Sequence, residues 1–321
     1  MKLAVGPLIF ATLLMVTGRG SHAEALESEA DALAKAVTAN KAKDYGTSMA
    51  IYRRLADQGS AAAPALIGVM YWAGSGVPRD HTRACDFYTV AEQRGDPNGT
   101  ELLADCFYKG EGRGQDYVQS ALLYGKASTR GVPIADCALG NQYLRGFGVE
   151  KDQAKAASLC RKSADRGVAD AQTDLGQMYL MGEGVDKNLT EAASWLQKAV
   201  AQGQANAALL LGTMYWNGDG VERNHEQAAR IWHISAERGN PSAPGRLAKY
   251  YFATSFVAAE NRVLVDPASK AAYWGTVATR VDPDPSARAE SQKLIDMLFG
   301  IAPSLMPKVE TMLATATSPS F

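Results

Sequence analysis

Apolar residues recur along this chain at helical spacing, interrupted by short glycine-bearing gaps, and the whole phrase returns every 36 residues. Ile67-Gly68, Tyr71, Gly74-Ser75-Gly76 and Asp80 make the first full copy. Leu103-Ala104, Phe107, Gly110-Glu111-Gly112 and Asp116 make the second. The same phrase starts again at Leu139-Gly140, Leu175-Gly176 and Leu211-Gly212, without an insertion. A second marker, Gly95, Gly131, Gly167, Gly203 and Gly239, keeps the same step. A fixed period of this length predicts a solenoid of stacked units rather than two unrelated domains.

Each unit predicts two helices. Helix A runs over Ala63–Ala73 in the first copy, with Ile67 and Tyr71 on one face. The glycine after it suits a left-handed C-terminal cap. Asp80, Asp116, Asp152, Asn188 and Asn224 are the expected N-caps of helix B. Helix B then carries Ala84, Phe87 and Ala91 on one face. Small residues at the Gly68 and Ala84 positions of every copy let two helices approach closely, with the Tyr71 and Phe87 series filling the space beside them.

The ends depart from this pattern. Asp44–Gly59 aligns with a helix B, preceded by a helix A within 27–38 that lacks the Gly-x-Gly turn. Ala243–Phe252 repeats helix A, 253–266 reads as an insert, and Ser269–Thr279 resumes a helix B. Helices near Ser286–Phe299 and Ser304–Ala314 precede a loose tail. The expected division is 1–23 signal peptide, 24–62 capping helices with a degenerate repeat, 63–242 five repeats, and 243–321 a degenerate repeat with C-terminal capping helices.

The signal peptide rests on Met1-Lys2, the apolar run Leu3–Val16 and the small residues of Ser21-His22-Ala23, with cleavage near Ala23. The run is short for a membrane span; the alternative is an uncleaved anchor. Cleavage takes the formal charge from -1 to -3 by removing Lys2 and Arg19. That balance gives no reason to expect nucleic acid as partner. The mature chain is expected in the periplasm, without a membrane span, as a monomer.

Export makes the four cysteines candidates for disulfides. The midpoint of Cys137 and Cys160 falls in the A–B turn of copy three, and that of Cys85 and Cys106 in the B–A turn between copies one and two. Antiparallel helices then predict Cys85–Cys106 and Cys137–Cys160. The alternative is four buried thiols; zinc lacks a Cys-x-x-Cys spacing.

The pattern Leu-Gly-x-x-Tyr-x-x-Gly-x-Gly-Val, followed by Asp, Ala, an aromatic, Ala and Gly, resembles the Sel-one-like repeat, a relative of the tetratricopeptide repeat. The resemblance covers Ala63–Ala243 well and the flanks weakly; the second copy departs at Arg113-Gly114. It implies an all-α superhelical solenoid of helix-turn-helix repeats that binds protein partners in the cell envelope or at secretion machinery, as adaptor, regulator or inhibitor. Some exported relatives are stapled by disulfides.

Catalytic chemistry finds no foothold in the sequence. No Lys-Ser/Thr follows any Gly-x-Gly, as a phosphate loop would require. His225-Glu226 opens like a zinc-protease helix, but Ala229 stands where the second His belongs. His81 and His225 share a position just after an N-cap, where a solvated polar residue is expected. No Gly-x-Ser-x-Gly or Ser-x-x-Lys is present. No cofactor, metal or catalytic residue is therefore expected.

What remains is surface. By analogy with tetratricopeptide arrays, helix A lines a concave groove. Its variable positions are Asp105, Asn141, Gln177 and Thr213, and, one turn on, Lys109, Arg145, Met181 and Asn217; Tyr108, Leu144 and Trp216 are large apolar residues among them. Such a mixture suits a protein or peptide ligand. The leading expectation is a non-enzymatic periplasmic binder of an envelope or secreted protein. The alternatives are an immunity protein neutralising an antibacterial toxin and a cell-wall or β-lactam-directed hydrolase.

Overall fold

A computed structural model describes residues 21–257, 262–263 and 265–315; the expected signal peptide lies almost wholly outside them. The chain folds as two compact units that meet in sequence at Arg166 and Gly167.

The N-terminal unit is four helical hairpins: α1 (Ser21–Lys41) with α2 (Tyr45–Asp57), α3 (Ala62–Ala73) with α4 (His81–Gln93), α5 (Pro97–Lys109) with α6 (Tyr117–Thr129), and α7 (Pro133–Arg145) with α8 (Gln153–Asp165). The C-terminal unit continues the pattern with α9 (Ala169–Met181), α10 (Leu189–Ala201), α11 (Ala205–Asn217), α12 (His225–Glu237) and α13 (Ala243–Ser255). A two-residue antiparallel ladder, β1 (Phe256–Val257) on β2 (Arg262–Val263), leads to α14 (Val265–Val281). Then come α15 (Pro285–Ile301), a 3-10 turn at Pro303–Leu305, and α16 (Met306–Thr315). The fold is an α/α solenoid, as expected.

The local chemistry explains the hairpins. Asp80, Asp116, Asp152, Asn188 and Asn224 each accept, through the side chain, the backbone N–H three residues on. Their own N–H groups donate back to helix A, at Tyr71, Phe107, Tyr143, Tyr179 and Tyr215, over 2.9–3.0 Å. One residue thus ends the turn through its backbone N–H and starts helix B through its side chain. Asp152→Ala is expected to lower stability by about 1 kcal/mol, read by urea denaturation.

The two glycines of the turn have separate jobs. The first, Gly146 in copy three, is the left-handed cap, with φ +75°. The second touches the preceding hairpin. A Cβ on Gly148 would lie 2.2 Å from the carbonyl of Tyr117, and one on Gly112 equally close to that of His81. In the other unit, Gly220 meets Leu189 in the same way. The turn is therefore a stacking joint.

In three of the hairpins a glycine on helix A faces a large residue on helix B, whereas Gly140 faces the Ala156 carbonyl and Cys160. A Cβ on Gly68 would fall 2.5 Å from the Tyr88 ring, and one on Gly212 2.5 Å from Trp232. Ile67, Met70 and Tyr52 fill the N-terminal core, and Leu196, Leu247 and Leu298 that of the C-terminal unit. Burying each such side chain contributes about 1.5–3 kcal/mol.

A further register device repeats at the B–A turn. Arg94 donates to the carbonyls of Ala56 and Ser60, Arg166 to that of Gly131, and Gln202 to that of Gly167. These side chains satisfy carbonyls of the preceding helix end and turn, one unit back.

The ends depart from the sequence-based spans. α1 is longer than 27–38, and α14 starts at Val265, four residues before its expected start. Its buried residues include Ala268, Ala271 and Ala272, which give too little hydropathy contrast to mark a helix edge.

Candidate functional site

The predicted groove positions fall on both units, and each set is described by itself. On the N-terminal unit, Lys109 and Arg145 are exposed, and Asp105, Tyr108, Asn141 and Leu144 are half-buried. Asp105 forms an ion pair with Lys109 and accepts a 2.5 Å hydrogen bond from the Tyr124 hydroxyl. Both side chains are thus engaged within the protein. Glu101 lies one turn earlier on the same helix, and burial, reinforced by the charge of Asp105, raises its carboxyl above the usual range; Lys109 opposes the shift. The hydroxyls of Tyr88 and Tyr124 are also raised, by burial first and by the two carboxylates second.

On the C-terminal unit, Gln177, Met181 and Asn217 are exposed, Met181 to 67 %. Thr213 directs its hydroxyl to the carbonyl of Leu209, and Asn217 donates to Asp219 over 2.9 Å. Trp216 packs on Trp232 and edge-on to Tyr250.

The histidines add to an expectation. His81 is half-buried and His225 exposed, and each also stacks on a helix A tryptophan, Trp72 at 4.3 Å and Trp216 at 4.2 Å. The aromatic residues of helix A therefore pack on their own helix B, not only between A helices. His233 meets the Tyr251 hydroxyl at 2.9 Å and the edge of Trp274, and burial lowers its pKa.

Two disulfides join Cys85 to Cys106 and Cys137 to Cys160. The first ties α4 to α5, across a B–A turn; the second ties α7 to α8, within one hairpin. These are the pairings drawn from the turn midpoints.

Sequence reasoning missed two residues on this surface. Glu101 occupies a position held by Ala65, Cys137, Thr173 and Leu209 elsewhere, so its charge was the available signal. Phe147 is the middle residue of its Gly-x-Gly, where the other copies carry Ser75, Glu111, Glu183 and Asp219. It stacks on Tyr117 at 4.6 Å.

Among solved structures, the chain is similar to a protective antigen present in uropathogenic Escherichia coli strains and displaying an SLR fold, with 28% identity and a TM-score of 0.60 over 81% of this chain. The match spans 57% of that protein's chain. It is also similar to a Sel1 repeat protein from Oxalobacter formigenes, with 27% identity and a TM-score of 0.56, covering 68% of this chain and 90% of that one. An immunity protein from Pseudomonas aeruginosa matches at 22% identity and a TM-score of 0.44, over 74% of this chain and 81% of that one. No match was found among curated proteins. The Sel1 repeat matches residues 61–96, 99–132, 133–168, 169–204 and 205–240. With five consecutive repeats over more than half its length, the chain belongs to the Sel1 repeat family.

Proposed function

We propose that this protein is a non-enzymatic periplasmic scaffold that holds another envelope or secreted protein on its helix A surface, as an adaptor, regulator or inhibitor. The observation that carries this reading is the contrast between copies. Core positions such as Ile67, Leu175 and Leu211 repeat and are buried, whereas Lys109, Arg145, Met181 and Asn217 share one repeat position, pass from basic to apolar to amide, and are all exposed. A surface that changes from copy to copy while the core positions repeat can specify one partner. The two disulfides support an oxidising compartment. Among the described residues, no helix is long and apolar enough to cross a membrane.

The test is affinity purification of the tagged mature protein from periplasm, with mass spectrometry of what is retained. Arg145→Glu combined with Asn217→Ala is expected to cut retention of the specific partner by at least about tenfold, the effect of losing one binding hot spot. Unchanged retention would remove the helix A face from consideration, and an empty wild-type purification would count against the scaffold itself.

A further inference from the structure

The last helix pair of the repeat pattern is joined to the array differently from the others. Between α13 and α14 the stretch 253–266 contains no glycine, so the seat that Gly220 takes on the helix start at Leu189 has no counterpart in the sequence there. Side chains meet at this joint instead. Tyr251 on α13 and Trp274 on α14 pack against the apolar cluster that holds Trp232 and Leu247. His233 on α12 touches both: its Nε2 meets the Tyr251 hydroxyl at 2.9 Å, and its ring packs edge-on with Trp274 at 5.2 Å. One half-buried imidazole thus bridges the last full repeat to both helices of the pair after it.

The array supplies its own comparison. One repeat before His233 stands Gln197, and one repeat before Tyr251 stands Tyr215; the Gln197 amide donates to the Tyr215 hydroxyl over 3.4 Å. Earlier copies hold Arg161, Gly125 and Thr89 at this position. Among these side chains histidine alone changes its charge between about pH 5 and 8.

The groups around the ring do not hold a proton on it. Glu237 lies one turn on along α12, and Arg230, one turn back, is paired with Glu226. Tyr250 and Tyr251 come from α13, and Lys270 comes from α14, where it is paired with Asp266 at 2.9 Å. Tyr215 is the one ionisable side chain on α11. Among the described residues, no carboxylate forms an ion pair with His233. Burial holds the imidazole pKa below its ordinary value of 6.5, against the pull of Glu237, and Lys270 adds to the effect of burial. The unfolded chain therefore takes up this proton first as pH falls. The contribution of His233 to stability is whole above the ordinary histidine range and is lost on descending through it.

We infer that His233 is a proton-sensitive latch: neutral, it holds α13 and α14 to the last full repeat, and protonated, in mild acid, it releases them. A charge placed between the Tyr251 and Trp274 rings, with Lys270 5.6 Å from the Tyr251 ring centre and no carboxylate in contact, costs more there than in water. The inference stands apart from the identity of any partner.

Hydrogen exchange of the full chain, read by mass spectrometry at about pH 7.5 and about pH 5, tests the latch. Wild-type peptides from α13 and α14 are expected to lose protection in acid by at least about threefold relative to peptides from α9 and α10, a comparison that cancels the intrinsic pH dependence of exchange. His233→Gln, which places an amide where Gln197 already has one, should abolish that loss. His225→Gln controls for the other histidine of this unit and should leave the loss intact. The ratio between the two pH values is the reading, so a variant weakened equally at both still answers. An equal acid-induced loss in His233→Gln, a wild type that keeps its protection in acid, or a loss shared evenly by α9 and α10 would overturn the latch.

Discussion

Replacing Gly148 by alanine is expected to cost about 2–5 kcal/mol. Two effects combine. The residue sits at φ +70°, where a side chain costs about 1–2 kcal/mol. The new Cβ would also fall 2.2 Å from the carbonyl of Tyr117. That neighbour is helical backbone, which cannot rotate away as a side chain could, and overpacking of this kind adds about 1–3 kcal/mol. Gly131→Ala separates the two: its φ is +88°, but no atom lies within 4 Å of the Cβ site. It should therefore show only the conformational cost. Urea denaturation of both variants measures the difference. If Gly148→Ala lost no more stability than Gly131→Ala, the stacking role of the second turn glycine would be refuted.

The second large effect is expected from Cys137→Ala with Cys160→Ala, a loss of about 3 kcal/mol. The disulfide closes 23 residues of sequence, and removing it frees the unfolded chain by roughly that amount in the loop-entropy treatment. Cys160 is fully buried and Cys137 nearly so, and alanine is smaller than half a cystine, so a modest packing loss adds to it. Comparing denaturation of the wild type with and without reductant gives an independent reading. A double variant within about 1 kcal/mol of the oxidised wild type would mean that the bridge closes a loop already ordered in the unfolded state.

Much of the fold was legible because its signals are discrete. The Gly-x-Gly spacing, the N-cap residues and the helix A glycines recur at fixed intervals, and each has one local physical meaning. The Arg94, Arg166 and Gln202 bonds were not legible, although those residues also recur beside a glycine. Their acceptors are carbonyls one hairpin away, which no local rule identifies. The insert after Ser255 and the start of α14 were blurred because alanine-rich helix faces carry little hydropathy contrast.

The candidate surface was legible to a lesser degree. Variation between copies picked out positions that are exposed or half-buried, Met181 and Asn217 among them. It could not tell that Asp105 is held by the Tyr124 hydroxyl, since that tyrosine comes from the facing helix. It also could not tell that Trp216 rests on His225, because a histidine's place after an N-cap does not reveal the ring above it. Phe147 was visible as a departure from its neighbours, but its importance depends on Tyr117 lying 4.6 Å away.

The placement of the second turn glycine gives the stack a polarity. Gly112 rests on the start of the helix at His81, and Gly148 on the start of the helix at Tyr117, in each case on a hairpin made earlier in the sequence. A polypeptide emerging amino end first, from a ribosome or an export channel, therefore presents each new turn with its seat already built. Growth in that direction adds finished pieces to a standing edge, whereas a fragment that lacks its amino end leaves its first turn with nothing beneath it.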